Sequence, residues 1–99
     1  MHNINKLQGQ EIYVFEILLE VILNDTSLSM KILLNNEPFS LKFNKVSNLN
    51  IKNFSFPFQI CGFEILDNRD KRWDRSSRFT VHDFEDNKLL FSCEEYEIE

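Results

Sequence analysis

The chain has 99 residues, of which 42% are hydrophobic and 27% are charged, and its formal net charge is −5 at pH 7. This length predicts a single domain over residues 1–99, and the apolar content excludes a disordered chain. The two glycines and two prolines are too few for a low-complexity linker or a glycine-rich phosphate loop.

Residues 12–23 fit two kinds of element. Glu16, Glu20 and Asn24 recur every four residues, which suits an amphipathic helix. The odd-numbered positions from 13 to 23 are all apolar, which suits a strand with one buried face. The β-branched and aromatic residues, together with turn-forming residues at 24–27, favour the strand, and the helix stays open as the alternative.

Three further segments alternate apolar and polar residues as strands do. Apolar side chains recur at every second position over 28–34, over 39–43 and over 61–65. Between the second and third of these segments, the pattern predicts a short strand or an irregular crossing at 44–53. Pro57 excludes a central strand in the aromatic stretch that follows, because proline cannot donate to a ladder.

The clearest pattern in the chain is a hairpin near its C-terminal end. Residues 78–84 and 88–93 alternate as strands, and they flank a polar turn at 85–87. After Cys93 the apolar positions change from odd to even numbers, beginning at Tyr96. A slip of one residue in a strand predicts a β-bulge.

Together these elements predict an all-β or β-dominated fold. We expect a single antiparallel meander of about six or seven strands, folded as a sandwich or a partly open barrel, with or without one helix. A flat sheet would leave one face uncovered, whereas ten phenylalanines, each able to bury roughly 150–250 Å², require a closed interior.

The cysteines and the hydropathy pattern predict a reducing compartment. Cys61 and Cys93 each fall in an apolar strand pattern, which favours two buried free thiols over a disulfide or a metal site. Residues 1–6 lack the apolar stretch of a secretory signal, and the tract at 12–23 is too short to span a bilayer. We therefore expect a cytoplasmic protein with no membrane association.

No group of residues has the spacing of a catalytic or metal site, so we expect neither enzymatic activity nor a cofactor. His82 and Asp83 are adjacent in a strand and therefore point to opposite faces, whereas catalytic zinc takes about three protein ligands. Lysines interleave with aromatic residues around Phe39 and Phe43, as on a nucleic-acid stacking surface. The alternation sends those rings into the core, and the acidic net charge disfavours nucleic acid, so a metal- or nucleic-acid-binding domain is the lesser alternative.

Residues 67–78 are the first candidate for binding a protein. This segment has no apolar alternation, and it carries Trp73 between Arg72 and Arg75. Tryptophan and arginine are enriched at the energetic centres of protein interfaces. In the alternative interpretation, Trp73 packs into the core and the charges of the loop face solvent.

The second candidate is the acidic C-terminal segment. From residue 83 to residue 99 there are seven acidic side chains and one lysine. The candidate partner-binding residues here are Asp83, Asp86, Glu94, Glu95 and Glu97. An acidic surface attracts basic partners, although acidic side chains on an edge strand also prevent unwanted strand pairing.

The order of these patterns resembles that of small β-rich bacterial immunity-type proteins, which are encoded beside secreted toxins. The resemblance is carried by Glu16-Ile17-Leu18 before the first hairpin, by Leu41-Lys42-Phe43 with Val46 and Leu49 after it, and by the segments 78–84 and 90–93. It implies a non-catalytic protein that binds and neutralises a toxin, with a basic nuclease as one type of partner. The alternative is a homodimer formed through edge strands.

Overall fold

The computed structural model describes residues 9–52, 58–68 and 78–98. In these ranges eight strands follow one another: β1 (Gln10–Ile22), β2 (Asp25–Leu34), β3 (Glu37–Asn44), β4 (Ser47–Ile51), β5 (Phe58–Asp67), β6 (Phe79–Asp83), β7 (Leu89–Cys93) and β8 (Glu95–Ile98). The predicted all-β fold is confirmed, with one or two more strands than expected. The described ranges contain no helix, so the helical alternative for residues 12–23 is wrong.

All eight strands belong to one antiparallel sheet in the order β4-β7-β6-β5-β1-β2-β3-β8, which is not closed into a barrel. Its two ends are nevertheless connected by the chain. β3 leads into β4 through two residues, and β7 leads into β8 through Glu94 alone. At this crossing the Glu94 N–H donates a hydrogen bond to the carbonyl oxygen of Asn44 at 3.2 Å. The sheet therefore curls until its ends lie side by side.

The curled sheet encloses the core that the phenylalanine content required. Seventeen apolar side chains from β1, β2, β3, β5, β6 and β7 are buried. Phe43 of β3 meets Phe91 of β7 edge to face, with ring centroids 4.9 Å apart. Phe79 of β6 and Tyr96 of β8 meet in the same way at 4.8 Å. These pairs join strands that are far apart in the order of the sheet, so they hold the curl in place.

A bulge in β1 changes which side chains face the core. The register between β1 and β2 shifts between Val14 and Glu16, around Phe15. Before the shift the buried residues are the even-numbered Ile12 and Val14, whereas Tyr13 and Phe15 are exposed. The prediction that all odd positions from 13 to 23 share the buried face is therefore wrong, because an extra residue in one strand reverses the alternation.

The turn after β1 is also different from the predicted one. It consists of residues 23–24 rather than 24–27, and Leu23 has a φ of 58°. This left-handed conformation is rare for a bulky residue, whereas asparagine adopts it readily. The next turn places Asn35 and Asn36 at φ values of 52° and 66°, as a two-residue hairpin turn requires.

A second bulge lies in β5, where the register with β1 shifts opposite Gln10–Ile12. Cys61 is only half-buried at this point, whereas Gly62 and Phe63 are buried. The expectation that Cys61 would be a buried thiol on the apolar face is therefore wrong, while Cys93 is buried as predicted. Both thiols are free, as predicted.

The turn between β6 and β7 is organised by the carboxylate of Asp83, a fully buried charged group. Its Oδ1 accepts hydrogen bonds from the N–H groups of Gly62 and Glu85, each at 3.2 Å, and its Oδ2 accepts one from the Lys88 N–H at 3.3 Å. A Cβ atom on Gly62 would lie 2.9 Å from the ring of Phe84. The glycine in the β5 bulge therefore allows the turn to pack closely against β5. The hydrogen bonds of Asp83 join the bulge to the turn.

Replacing Asp83 with alanine leaves three backbone N–H groups without their acceptor. We expect Asp83→Ala to lower the free energy of unfolding by about 2–3 kcal/mol, measured by urea denaturation. The matched control is Asp86→Ala, which removes an exposed carboxylate from the same turn and is expected to cost less than about 0.5 kcal/mol. Equal effects of the two substitutions would contradict this role of Asp83.

The two thiols differ in their expected reactivity. Burial raises the pKa of the Cys93 thiol to about 12. Burial, and after it the negative charge of Asp86, raises the pKa of the half-buried Cys61 thiol. Because the thiolate is the reactive form, we expect iodoacetamide to modify Cys61 slowly and Cys93 only after unfolding, as followed by mass spectrometry with and without urea. Modification of both residues at one rate in the folded protein would contradict this expectation.

Candidate protein-binding surface

The end of the β1–β2 hairpin exposes a cluster of large apolar side chains. We call this cluster the apolar hairpin end; it comprises Leu18, Leu19, Val21, Ile22 and Leu23. The exposed fractions of these side chains range from 49% for Leu19 to 93% for Leu23. Large contiguous apolar patches are uncommon on monomeric proteins and mark interaction sites.

The apolar hairpin end extends to both faces of the hairpin. Leu19 is paired with the buried Leu28 on the inner face, yet 49% of Leu19 is exposed. Leu18 is paired with Ser29 on the outer face. The hairpin therefore reaches past the rim of the core at this end, and the interior does not cover its inner face.

Sequence reasoning missed the apolar hairpin end because it assigned the whole alternating run to the core. The sequence carried a signal against that assignment. Leu18 and Ile22 stand at even positions between the apolar odd positions, so the second face of the strand is also apolar in part, where these two residues alternate with Glu16 and Glu20. A strand that is apolar on both faces must be covered on both sides or be exposed on at least one.

Acidic side chains of β8 project from the same outer face of the sheet as some apolar side chains of this hairpin. The strand registers join four residues in one row across the sheet: Leu18 of β1, Ser29 of β2, Lys42 of β3 and Glu97 of β8. Neighbouring strands are about 4.8 Å apart, so Leu18 and Glu97 are separated by roughly 14 Å. One partner could contact both.

The carboxylates on this face differ in whether a lysine forms an ion pair with them. Glu94 pairs with Lys45 at 3.8 Å, and Glu16 of β1 pairs with Lys31 of β2 at 3.6 Å. Glu95 is exposed opposite Asn44 in the ladder. Within the described part of the chain, no cation lies within salt-bridge distance of Glu95, so its charge is available to a partner.

A groove runs between the apolar hairpin end and β8. Its cavity measures about 400 Å³, with Ile22 and Leu23 on one side, Glu95 on the other, and Ser27 and Asn44 among the polar residues between them. Beside it lies a smaller hollow of about 140 Å³, lined in part by Ser29 and Glu97. Lys42 borders both.

The structure separates the partner-binding residues that were predicted from the sequence. Asp83 is buried and bonded to the backbone, so its side chain is not available at the surface. Asp86 is exposed but precedes β7, whereas Glu94 follows it. The five residues of β7 span roughly 17 Å, so Asp86 does not extend the acidic face of β8.

The predicted loop residues Trp73, Arg72 and Arg75 lie outside the residues that the structure describes. Glu95 and Glu97 are exposed on the outer face of β8, and Glu94 is partly buried beside Lys45. Of the eight predicted residues, these two exposed carboxylates are the ones that the structure places next to the apolar hairpin end.

His82 has a partner on the neighbouring strand. Its Nε2 lies 2.8 Å from Oε1 of Glu64, across the β5–β6 ladder. Within the described ranges, no group of three or more histidine, cysteine, aspartate or glutamate side chains is arranged to hold a metal ion. In the same ranges no helix has the length and apolarity needed to cross a bilayer.

No protein-family model matches this chain, and no curated protein or solved structure matches it either. The geometry and charge of this surface are therefore the features that indicate a function.

If Leu23 has no role in the core, changing it will not unfold the protein. We expect Leu23→Asn to leave the free energy of unfolding unchanged within about 0.5 kcal/mol, or to raise it, because asparagine tolerates a positive φ. Leu28→Ala, in the buried position of the facing strand, should cost about 2–5 kcal/mol. Urea denaturation compares the two, and a large loss for Leu23→Asn would place Leu23 in the core instead.

Proposed function

We propose that this protein is a non-catalytic protein-binding module whose binding surface comprises the apolar hairpin end and the outer face of β8. The observation that carries the proposal is the proximity of five exposed apolar side chains to the exposed carboxylates of β8, of which Glu95 has no cation within salt-bridge distance among the described residues. Buried apolar anchors supply most of the affinity at protein interfaces. Charged groups beside them select and orient the partner.

The sign of the charge points to a basic partner. Glu20 and Asp25 of the hairpin, like Glu95 of β8, have no cation within salt-bridge distance among the described residues. Their combined field attracts lysine and arginine side chains and repels the phosphates of nucleic acid. Two copies related by a twofold axis through this face would bring these carboxylates together, which disfavours a homodimer at this site.

The more specific proposal is an immunity-type function, in which the protein binds and neutralises a basic toxin. It is supported by the pattern resemblance together with the acidic and apolar character of this surface. A standard interface takes about 800 Å² from each partner, which a four-strand face and a projecting hairpin end can provide. Two free cysteines suit a reducing compartment, and we propose the cytoplasm as the location.

The test uses the protein encoded by the neighbouring reading frame, produced together with this chain. We expect a stoichiometric complex by size-exclusion chromatography with light scattering, and restored growth if that neighbour is toxic. Glu95→Lys combined with Glu97→Lys should raise the dissociation constant by about tenfold or more, because charge reversal beside an apolar anchor replaces attraction with repulsion.

The matched control is Glu11→Lys combined with Glu37→Lys, which makes the same change in net charge. Both residues are exposed and lie at the ends of β1 and β3 away from the apolar hairpin end. We expect the control to alter the dissociation constant by less than about threefold. Equal effects of the two pairs would refute this surface, and a tight homodimer that binds no neighbouring protein would refute the proposed function.

A further inference from the structure

We propose that the groove between the apolar hairpin end and β8 is a specific subsite for a large apolar side chain that is flanked by lysine or arginine in a partner segment. This inference rests on the proposed function and deepens it, because it names the chemical determinant that the surface recognises. Three features of the groove support it: its size, its two unlike walls, and its preformed floor.

The volume of the groove suits a short peptide determinant. Its cavity of about 400 Å³ lies within the range of roughly 300–1,000 Å³ that is typical of ligand-binding pockets. A single large side chain with the backbone on either side of it would occupy such a space. A whole folded element would not fit, so we infer that the occupant is a few residues long.

The first wall of the groove is apolar and uncovered. Ile22 and Leu23 line it, with 64% and 93% of their surfaces exposed. Leu23 occupies the left-handed position of the turn, where asparagine or glycine would be less strained. Leu23 therefore presents an apolar side chain to solvent at the edge of the groove, where an apolar group of a partner can contact it.

The second wall has more carboxylates than lysines, so its net charge is negative. Lys45 is paired with Glu94 at 3.8 Å, and Lys42 faces Glu97 across the β3–β8 ladder. Both lysines line the groove, and Glu94 and Glu97 lie beside them as two further carboxylates. Asp25 and Glu95 also line it, and among the described residues neither has a cationic partner. The groove therefore complements a positive charge.

The floor of the groove is formed before any partner binds. The N–H of Val46 donates to the carbonyl oxygen of Thr26 at 2.8 Å, joining the start of β2 to the connection between β3 and β4. Ser27 and Asn44, which line the groove, are half-buried. A preformed floor reduces the ordering cost of binding, so a short segment can bind with measurable affinity.

The test is a titration of the isotope-labelled full chain with three synthetic peptides, followed by amide chemical shifts. The first peptide alternates lysine with leucine, the second alternates lysine with serine, and the third alternates glutamate with leucine. We expect the first peptide to cause saturable shifts at residues 22–27, 42–45 and 95. Its affinity should be about tenfold or more above that of either other peptide, because only this peptide offers leucine to the apolar wall and lysine to the acidic wall. Higher salt should weaken this binding.

Two variants locate the subsite, and one serves as control. Leu23→Asn and Glu95→Lys should each reduce the affinity of the lysine–leucine peptide by about tenfold, whereas Glu37→Lys should leave it within about threefold. If the lysine–serine peptide binds as tightly as the lysine–leucine peptide, charge alone attracts the peptides, and the proposed recognition of an apolar side chain is wrong. An absence of saturable shifts at the groove would overturn the subsite as a whole.

Failure of the subsite and failure of the proposed function give different results. If the neighbouring protein still binds and its affinity depends on Glu97 but not on Leu23, the binding surface stands and the subsite is refuted. If no partner protein binds this chain but the lysine–leucine peptide does so in the expected groove, the subsite stands and the immunity-type function is refuted.

Discussion

The contact between aromatic rings from distant strands is the constraint on which this structure depends. A single eight-stranded sheet has two faces, and one of them must be kept from water. Phe43 and Phe91 meet 4.9 Å apart across the interior although their strands lie near opposite ends of the sheet order. That contact requires the sheet to curl. Once it curls, a core of phenylalanine, leucine and isoleucine can form without a second layer.

The same curl determines what the outer face displays. Because β7 continues into β8 through Glu94, the chain crosses from one end of the sheet to the other in a single residue. β8 therefore pairs with β3, and its carboxylates face outward in the same rows as β2 and the end of β1. An acidic segment and an apolar segment that are some 75 residues apart in the chain become neighbours. The binding surface that we propose exists only because of that connection.

Comparison of the predicted and observed elements shows where local patterns are sufficient. The predicted β6–β7 hairpin is present, with Val81 buried and opposite Phe91. The alternation does slip after Cys93, but the predicted β-bulge is wrong: β7 ends at Cys93, and β8 is a separate strand that pairs with β3. In contrast, the bulges at Phe15 and Cys61 were not predicted. A bulge depends on the strand that lies opposite, and no local alternation records which strand that is.

The sequence by itself determined that the chain forms β-strands, where several of its turns lie, and that its C-terminal segment is acidic. Those properties follow from the period of two along an extended backbone and from composition, which are local. The tertiary structure decided that Asp83 is buried at the end of β6 and that the residues from Phe15 to Leu23 are largely exposed rather than in the core. It also placed Glu95 and Leu23 on opposite sides of one groove. These outcomes depend on register and strand order, which are set by packing between residues distant in the chain.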